Sequence, residues 1–282
     1  MSKVKNDKQP VAKNILQLRN FGMRFDENVL FTHMDLDLEP GIYVFSGPSG
    51  CGKSTLMRCI AGLENRYTGE IFLNGEKQVW CSQDKHMMMQ HYTSFPWLNV
   101  LENALMVYKG HQITPTAEDI KEAKEILKKL GLEEHLDKLP SQISGGQDQR
   151  LSLASAIMNR WSKVFLYDEP TSALDNDNDM IVVEMIKEHQ KKYGTIEIII
   201  THEEHVIEGL GAKILEFTPE FRLHPPKIDY VPVPEEDYFG DVPAEDVNVT
   251  QPENLLPEVA AEISITEEGV AENAEKIEVT DS

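Results

Sequence analysis

The feature that most constrains the fold is a glycine-rich stretch, Gly47-Pro-Ser-Gly-Cys-Gly-Lys-Ser-Thr55, which we call the phosphate loop. It has the form G-x-x-x-x-G-K-S, with Gly52, Lys53 and Ser54 in register. Small residues let several backbone N–H groups converge on one anion, as triphosphate oxygens require. The lysine adds charge for the β- and γ-phosphates, and the Ser54 hydroxyl is placed to ligate Mg²⁺. The loop therefore predicts a nucleoside triphosphate site.

The residues around the phosphate loop support this interpretation. Gly41–Ser46 has the apolar character of a buried strand entering the loop, and Thr55–Ala61 has the pattern of a helix leaving it. The N-terminus of such a helix directs its partial positive charge at the phosphates. A strand, a phosphate loop and a helix in this order predict an α/β fold.

Two further apolar strands end in polar residues. Val164–Tyr167 leads into Asp168 and Glu169, and Ile196–Thr201 leads into His202. Ligands of parallel α/β sheets bind at the carboxyl ends of strands, which is where these side chains would lie. An acidic strand end can also be a simple helix cap, but the phosphate loop elsewhere in the chain favours the functional interpretation.

The segments around these strands complete the predicted fold. Ile15–Arg19 alternates like an edge strand, and Val29–Phe31 with Met34–Leu38 continues an antiparallel sheet. Gly69–Gly75 is predicted to be a strand closed by an Asn-Gly turn. Phe25 lies between the first strands, where it either packs in the core or stacks on an adenine ring. Periodicity alone favours packing.

A helical insertion is predicted between the sheet strands. Thr114 is placed to cap a helix with Pro115 at its first position, and Gly131 is placed to end it. Its apolar residues share one face of the helix: Ile120, Ala123, Leu127 and Leu130. The run Met87–Met89 is interpreted as core. Trp97, in a loop before a helix starting near Val100, is either partly buried or part of a docking surface.

Charge and composition restrict the class of protein. Residues 225–282 contain 16 Asp and Glu against two lysines, so they hold −14 of the chain's net charge of −21. This acidic, proline-rich segment is predicted to be a disordered tail, and the polar residues 1–13 a second tail. The overall charge disfavours nucleic acid as a partner. Three cysteines without metal-ligand spacing suit a reducing cytosol. We expect neither a signal peptide nor a membrane span, so membrane association would require a partner.

A second anion site is predicted at Ser144-Gly-Gly-Gln147, which opens a helix 91 residues after Lys53. Gln149 and Arg150 follow it. We call Ser144–Gln147 the signature turn. The phosphate loop, the signature turn and the acidic strand end, in this order, resemble the ATP-binding cassette (ABC) ATPase family over residues 15–217. The signature matches apart from Ile143, where leucine is usual.

The resemblance implies a fold and a domain organisation. It implies an α/β P-loop NTPase fold with a RecA-like parallel core, an antiparallel β subdomain and a small helical subdomain. The ABC ATPase domain would span residues 14–224, with the helical subdomain at 91–160, followed by the acidic tail.

The resemblance also assigns roles to individual residues. Glu169 is similar to the general base, His202 to the switch histidine, Gln90 to the glutamine that touches Mg²⁺ and senses the γ-phosphate, and Asp168 to the aspartate of the Mg²⁺ shell. Phe25 resembles the aromatic residue that stacks on adenine. Catalysis would involve Glu169, His202, Lys53 and Gln90, and the metal would be held by Ser54, Gln90 and Asp168. The nucleotide-binding residues would be Phe25, Gly47, Pro48, Ser49, Gly50, Cys51, Gly52, Lys53, Ser54, Thr55, Ser144, Gly145, Gly146, Gln147 and Asp175, the last in a D-loop that begins at Ser172.

The implied function is ATP hydrolysis with Mg²⁺ in a head-to-tail dimer, because the signature turn of one copy would complete the site of the other. The dimer would be a homodimer or a heterodimer with a second ABC ATPase. It would drive solute import through an integral membrane permease. Through the permease it would also act with an extracellular solute-binding protein. The subunit would be cytoplasmic and peripheral on the inner face of the membrane. The alternative is a non-transport ABC ATPase acting on DNA or ribosomes.

Three details refine the expectation. Ser94–Asn103 resembles the corresponding segment of nitrate, sulfonate and taurine importer ATPases. Glu203 and Ser155 stand where the family usually has Asp and Arg, which puts permease pairing and local packing in question more than hydrolysis. Cys51, at a helix N-terminus, is either a reactive thiol of low pKa or a small residue filling a turn.

Overall fold

The computed structural model describes residues 14–25, 28–89, 94–172 and 176–223, with the backbone alone for 176–178. Within these ranges the strands are β1 (Leu16–Phe25), β2 (Asn28–Leu38), β3 (Gly41–Ser46), β4 (Tyr67–Leu73), β5 (Glu76–Lys77), β6 (Lys85–Met88), β7 (Val164–Asp168), β8 (Ile196–Ile200) and β9 (Lys213–Glu216). The helices are α1 (Lys53–Ala61), α2 (Val100–Ala104), α3 (Met106–Gly110), α4 (Ala117–Lys129), α5 (Gly145–Met158), α6 (Asn176–Tyr193), α7 (Glu204–Leu210) and α8 (Pro219–Leu223). The predicted polar N-terminal tail and the predicted disordered acidic tail lie outside the described residues.

A five-stranded parallel sheet in the order β6-β7-β8-β3-β9 forms the centre of the fold. Its strands alternate between two hydrophobic cores: on β7, Val164 and Leu166 face one core, and Phe165 and Tyr167 face the other. Because both faces are covered, these strands appear in the sequence as continuous apolar runs. The predicted strands that lead to the phosphate loop, to Asp168 and to His202 are therefore confirmed.

A second, antiparallel sheet has the order β2-β1-β4-β5. β1 pairs with both β2 and β4, so the prediction that Ile15–Arg19 forms an edge strand is wrong. Alternation shows that one face of a strand is buried, which holds for central and edge strands alike. The Asn-Gly turn after β4 is confirmed, since Asn74 and Gly75 have φ angles of 57° and 82°.

Helix α1 packs in the core that joins the two sheets. Leu56, Met57 and Ile60 are fully buried there with residues of β1 and β3. Helices α2, α4, α5 and α6 contribute to the second core, on the other face of the parallel sheet. The phosphate loop is thus held between the parallel sheet and the antiparallel sheet. No helix in the described ranges combines the length and apolar composition needed to span a bilayer.

Helix α4 begins two residues later than predicted. Thr116, rather than Thr114, is its N-cap: the Thr116 hydroxyl accepts from the Asp119 N–H at 3.2 Å, and the Asp119 carboxylate accepts from the Thr116 N–H at 2.8 Å. This reciprocal pair satisfies two backbone donors and offsets the cost of starting the helix after Pro115. The Thr116 donors also hold the pKa of Asp119 well below its usual range.

The predicted buried face of α4 is correct for Ala123, Leu127 and Leu130. The methionine run is only partly core, because Met88 is buried at the end of β6 while Met89 is 38% exposed. The parallel sheet, antiparallel sheet and helices together agree with the predicted P-loop fold class.

The position of the α4 cap can be tested with two threonine substitutions. We expect Thr116→Ala to lower the free energy of unfolding by about 1 kcal/mol, because the Asp119 N–H loses its acceptor. Thr114→Ala is the matched control, since Thr114 is equally exposed and lies outside the cap; it is expected to stay within about 0.5 kcal/mol of the parent. Urea denaturation measures both. A larger effect for Thr114→Ala would return the cap to residue 114.

Candidate functional site

The phosphate loop connects the end of β3 to α1, and two of its glycines, Gly47 and Gly52, lie in close contact with the core. Gly52 has φ 102°, and a Cβ there would lie 2.8 Å from a ring carbon of Phe31. A Cβ on Gly47, with φ 145°, would lie 3.1 Å from the carbonyl oxygen of Phe217. Gly50, with φ 76°, faces open space. The loop is therefore pressed against the core on one side and open on the other, as an anion cradle requires.

The Lys53 side chain is hydrogen-bonded to the backbone of its own phosphate loop. This side chain is buried, and its ammonium donates hydrogen bonds to the carbonyl oxygens of Gly47 at 2.7 Å and Pro48 at 3.1 Å. These carbonyls hold the charge beside the loop's backbone amides. From this position the ammonium can exchange one carbonyl for a phosphate oxygen, which would be a stronger, charge-assisted partner.

Ser54 and Asp168 bring two oxygen atoms together although 114 residues separate them. The Ser54 hydroxyl donates to the Asp168 carboxylate at 3.3 Å. A hydroxyl and a carboxylate beside a phosphate site are the protein groups that P-loop enzymes offer to Mg²⁺. The donor set at this point therefore fits Mg²⁺.

A cavity of about 310 Å³ lies over the loop. Eight predicted loop and catalytic residues line it: Ser49, Gly50, Gly52, Lys53, Ser54, Thr55, Glu169 and His202. Phe25 lines it as well. Its volume is at the lower end of the range for small-molecule sites. The carboxyl ends of β3, β7 and β8 and the end of β1 meet at this cavity.

Glu169, the residue after β7, has a backbone conformation that is uncommon for an amino acid with a side chain. Its φ angle is 53°, in the left-handed region. Its N–H donates to the carbonyl of Ile200 at 2.9 Å, which continues the pairing of β7 with β8 by one residue. The side chain of Glu169 is half-buried, and that of His202 is exposed.

Phe25 is half-buried at the side of the cavity. The guanidinium carbon of Arg66 lies 5.1 Å from the centre of its ring. Arg66 is in turn held by Glu64, whose carboxylate accepts from its Nε and Nη2 at 3.0 and 2.7 Å, and these bonds lower the pKa of Glu64 to about 2. Phe25 lines the cavity and Arg66 does not.

The signature turn lies outside this cavity. Ser144 caps α5: its hydroxyl accepts from the Gln147 N–H at 3.3 Å, and the Gln147 side chain accepts from the Ser144 N–H at 2.8 Å. Ser144 and Gly145 are exposed. A well-capped helix start therefore presents Ser144 and Gly145 to solvent, outside the cavity over the chain's own phosphate loop.

Six further predicted residues are not among those that line the cavity. Gln90 and Asp175 lie outside the described residues. Gly47, Pro48, Cys51 and Asp168 are adjacent to the cavity but do not line it. Cys51 is 4% exposed and belongs to the hydrophobic core, which supports its interpretation as a small residue filling a turn.

Sequence reasoning missed four contributions to the site. Asn28, Leu30 and Ile200 line the cavity. Arg222, on α8, donates to the carbonyl oxygens of Leu30 and Cys51, both at 3.2 Å. The only available signals were the proximity of Asn28 to Phe25 and the position of Ile200 at a strand end; Arg222 has no local signal, because its partners are distant in sequence.

A second group of polar side chains lies near His202. A carboxylate oxygen of Asp179, a carboxylate oxygen of Glu203 and a ring nitrogen of His205 all lie within 4.8 Å of one another. Asp179 is hydrogen-bonded to His205 at 2.9 Å, and the Glu203 carboxylate accepts from the Thr171 hydroxyl at 2.5 Å. The first bond connects α6 with α7, and the second connects the residue before α7 with the segment after β7.

The fold and the cavity together define a P-loop domain for nucleoside triphosphates, with a second helix N-terminus exposed at its surface. Residues 31–172 match the model of the ABC transporter family. The Fe(3+) ions import ATP-binding protein FbpC of Escherichia coli K12 is 38% identical over 68% of this chain and 56% of its own length. FbpC 1 of Haemophilus influenzae KW20 is 36% identical over 75% of this chain and 67% of its own length. This chain belongs to the ABC transporter family.

Another relative and two solved structures of an ABC transporter cassette are also similar to this chain. The spermidine/putrescine import ATP-binding protein PotA of Haemophilus influenzae 86-028NP is 34% identical over 74% of this chain and 57% of its own length. The dimeric ABC transporter cassette MJ0796 superposes with a TM-score of 0.63 at 26% identity, covering 72% of this chain and 94% of that one. Its post-hydrolysis dimer, bound to ADP and Pi, gives 0.60. This chain spans little more than half the length of most of the curated relatives named here.

The packing of the phosphate loop can be tested with two glycine substitutions. Gly52→Ala places a methyl group against the buried ring of Phe31, so we expect it to lower the free energy of unfolding by about 2–5 kcal/mol through backbone strain and overpacking. Gly50→Ala introduces only the strain, about 1–2 kcal/mol. Urea denaturation of both variants separates the destabilisation caused by backbone strain from that caused by overpacking. Equal losses would show that Phe31 does not restrict the loop.

Proposed function

We propose that this chain binds and hydrolyses ATP as the nucleotide-binding subunit of an ABC importer. The observation that carries the proposal is the cavity that gathers Lys53, Ser54, Glu169 and His202, while the signature turn lies exposed outside it. The first half of this arrangement supports phosphoryl transfer to water. The second half supports a site completed by another copy of the domain.

Each group at the cavity has a part in the proposed reaction. Lys53 and the backbone amides of the phosphate loop bind the β- and γ-phosphates, and Ser54, Asp168 and Gln90 hold Mg²⁺. When bound, Mg²⁺ neutralises charge on the phosphate oxygens. Glu169 orients the attacking water and accepts its proton, and His202 holds the γ-phosphate.

The remaining predicted residues bind the rest of the nucleotide. Phe25 stacks on the adenine ring, with Arg66 behind it. Stacking tolerates different bases, so this contact contributes affinity more than base specificity.

We propose a head-to-tail dimer, either of two copies or with a second ABC ATPase. The signature turn, Ser144–Gln147, and Asp175 of one subunit face the nucleotide of the other. The start of α5, where Ser144 and Gly145 are exposed, suits this role, because the backbone N–H groups at a helix N-terminus bind anions. The dimeric organisation of the MJ0796 cassettes supports it. Opening of the dimer after hydrolysis moves whatever is docked on it.

The proposed partner is an integral membrane permease. The relatives named above are import proteins, and the described residues include no membrane-spanning helix. Trp97 is 70% exposed and lies against Phe95, with ring centroids 5.5 Å apart. Such an exposed aromatic pair is typical of a protein docking surface. The subunit would be cytoplasmic, peripheral on the inner face of the membrane, and linked through the permease to an extracellular solute-binding protein. Nucleic acid has no part in this scheme.

Two observations point to different classes of solute. The segment Ser94–Asn103 favours importers of the nitrate, sulfonate and taurine type. The relatives named above import iron(III) ions or polyamines. Because the solute contacts the permease and the binding protein, we propose importer coupling without assigning the solute.

The role of Glu169 is tested by removing its charge. We expect Glu169→Gln to lower kcat at least about 100-fold, since the amide cannot accept a proton from water, while ATP binding persists. Phosphate release measures hydrolysis, and a fluorescent ATP analogue measures binding. Glu208→Gln on the exposed side of α7 is the control and should hydrolyse at the parent rate. Hydrolysis at the parent rate by Glu169→Gln would refute the mechanism.

The partner is tested by affinity purification from a membrane preparation of the native host. An ABC importer subunit should be recovered with an integral membrane protein in stoichiometric amount. Recovery with ribosomes or with DNA, and without a membrane protein, would instead support the alternative, a non-transport ABC ATPase.

A further inference from the structure

The backbone of Glu169 is held in a conformation that it would not adopt by itself. A left-handed φ costs a residue with a Cβ about 1–2 kcal/mol, and such residues persist only where their surroundings hold them. The φ angle of Glu169 is 53°, and a rigid residue, Pro170, follows it. The hydrogen bonds to the Glu169 backbone therefore stabilise this conformation.

Three groups hold the two peptide units of Glu169. Its N–H donates to the Ile200 carbonyl at the end of β8, at 2.9 Å. Its carbonyl oxygen accepts from the Gln149 side-chain amide at 2.7 Å and from the Ser172 hydroxyl at 3.1 Å. The Gln149 amide also donates to the Ser172 hydroxyl at 3.3 Å, so the Gln149 amide, the Ser172 hydroxyl and the Glu169 carbonyl form a closed ring of hydrogen bonds.

Gln149 differs from the other two in its place in the fold. Ile200 and Ser172 belong to the neighbouring strand end and to the segment directly after Glu169. Gln149 lies on α5, the helix that starts with the signature turn, five residues after Ser144. Because a capped helix moves as a rigid unit, a shift of the signature turn is carried to the Gln149 amide.

We propose that Gln149 is a positioning residue for Glu169. Its amide fixes the peptide after Glu169 and so fixes the direction of the carboxylate in the cavity. Through α5 it links the signature turn, which faces the partner's nucleotide, to the chain's own catalytic carboxylate. This inference rests on the proposed function, in which Glu169 orients water and the signature turn completes the other site.

The test is steady-state ATP hydrolysis by the full-length chain with Mg²⁺. Gln149→Ala is expected to lower kcat about 10- to 100-fold, because a displacement of about 1 Å at a catalytic group has an effect of this size. KM, and the affinity for a fluorescent ATP analogue, should stay within about twofold, since Gln149 does not line the cavity. Gln149→Glu keeps the volume but lacks the donor, so it should lose as much activity as the alanine variant.

A matched control is Gln190→Ala. Gln190 also donates from its side-chain amide to a backbone carbonyl, that of Thr195 at 3.2 Å, but on α6 and away from the cavity. This variant should keep the parent kcat. Thermal unfolding of all variants, with kinetics measured well below every Tm, separates lost positioning from lost folding.

A double variant distinguishes positioning from other roles. Added to Glu169→Gln, the Gln149→Ala change should lower the residual rate no further, because Gln149 acts through the Glu169 carboxylate. Multiplicative losses, or a parent-like kcat for both Gln149 variants while Glu169→Gln is inactive, would overturn the inference. A parent chain without ATPase activity, or a fully active Glu169→Gln, would refute the proposed function instead.

Discussion

The site depends on the parallel pairing of β7, β8 and β3. Asp168 is aligned with Ile200, and Val44 with Ile199, so the three strands end at one edge of the sheet. The Glu169 N–H extends this pairing by one hydrogen bond beyond β7. Segments more than 100 residues apart in sequence thereby bring the Lys53 ammonium, the Ser54 hydroxyl and the Glu169 carboxylate to one cavity, with Asp168 hydrogen-bonded to Ser54 beside it. A loop alone could not hold these groups, because nothing would fix their relative positions.

The rest of the fold restricts the phosphate loop at this edge. The ring of Phe31 leaves no room for a Cβ at Gly52, and the backbone of Phe217 would be in tight contact with a Cβ at Gly47. Arg222 adds two hydrogen bonds, one to the loop at Cys51 and one to β2 at Leu30. The antiparallel sheet and the last described helix thus support the loop from opposite ends of the chain. These contacts hold the phosphate loop in one conformation before an anion binds, which reduces the conformational entropy that the loop loses on binding.

Differences between the sequence-based predictions and the structure have physical causes. The strands of the parallel sheet were predictable because burial on both faces leaves an uninterrupted apolar run. The central place of β1 was not, because alternation reports burial of a face and says nothing about neighbours. The α4 cap was misplaced by two residues because Thr114 and Thr116 both suit an N-cap. Only the reciprocal bonds between Thr116 and Asp119 distinguish them.

Residue types and their order along the chain are enough to indicate the chemistry of the site: a glycine-rich loop with a lysine and a serine, acids after one strand, and a histidine after another. Each of these depends on residue type and on neighbours a few positions away. The exposure of Ser144 and Gly145, and the hydrogen bond from Gln149 to the Glu169 carbonyl, follow instead from the folded arrangement of the whole domain. Those relations arise from hydrogen bonds and packing between distant segments. Local periodicity does not encode such contacts, because it records which face of an element is buried but not what covers it.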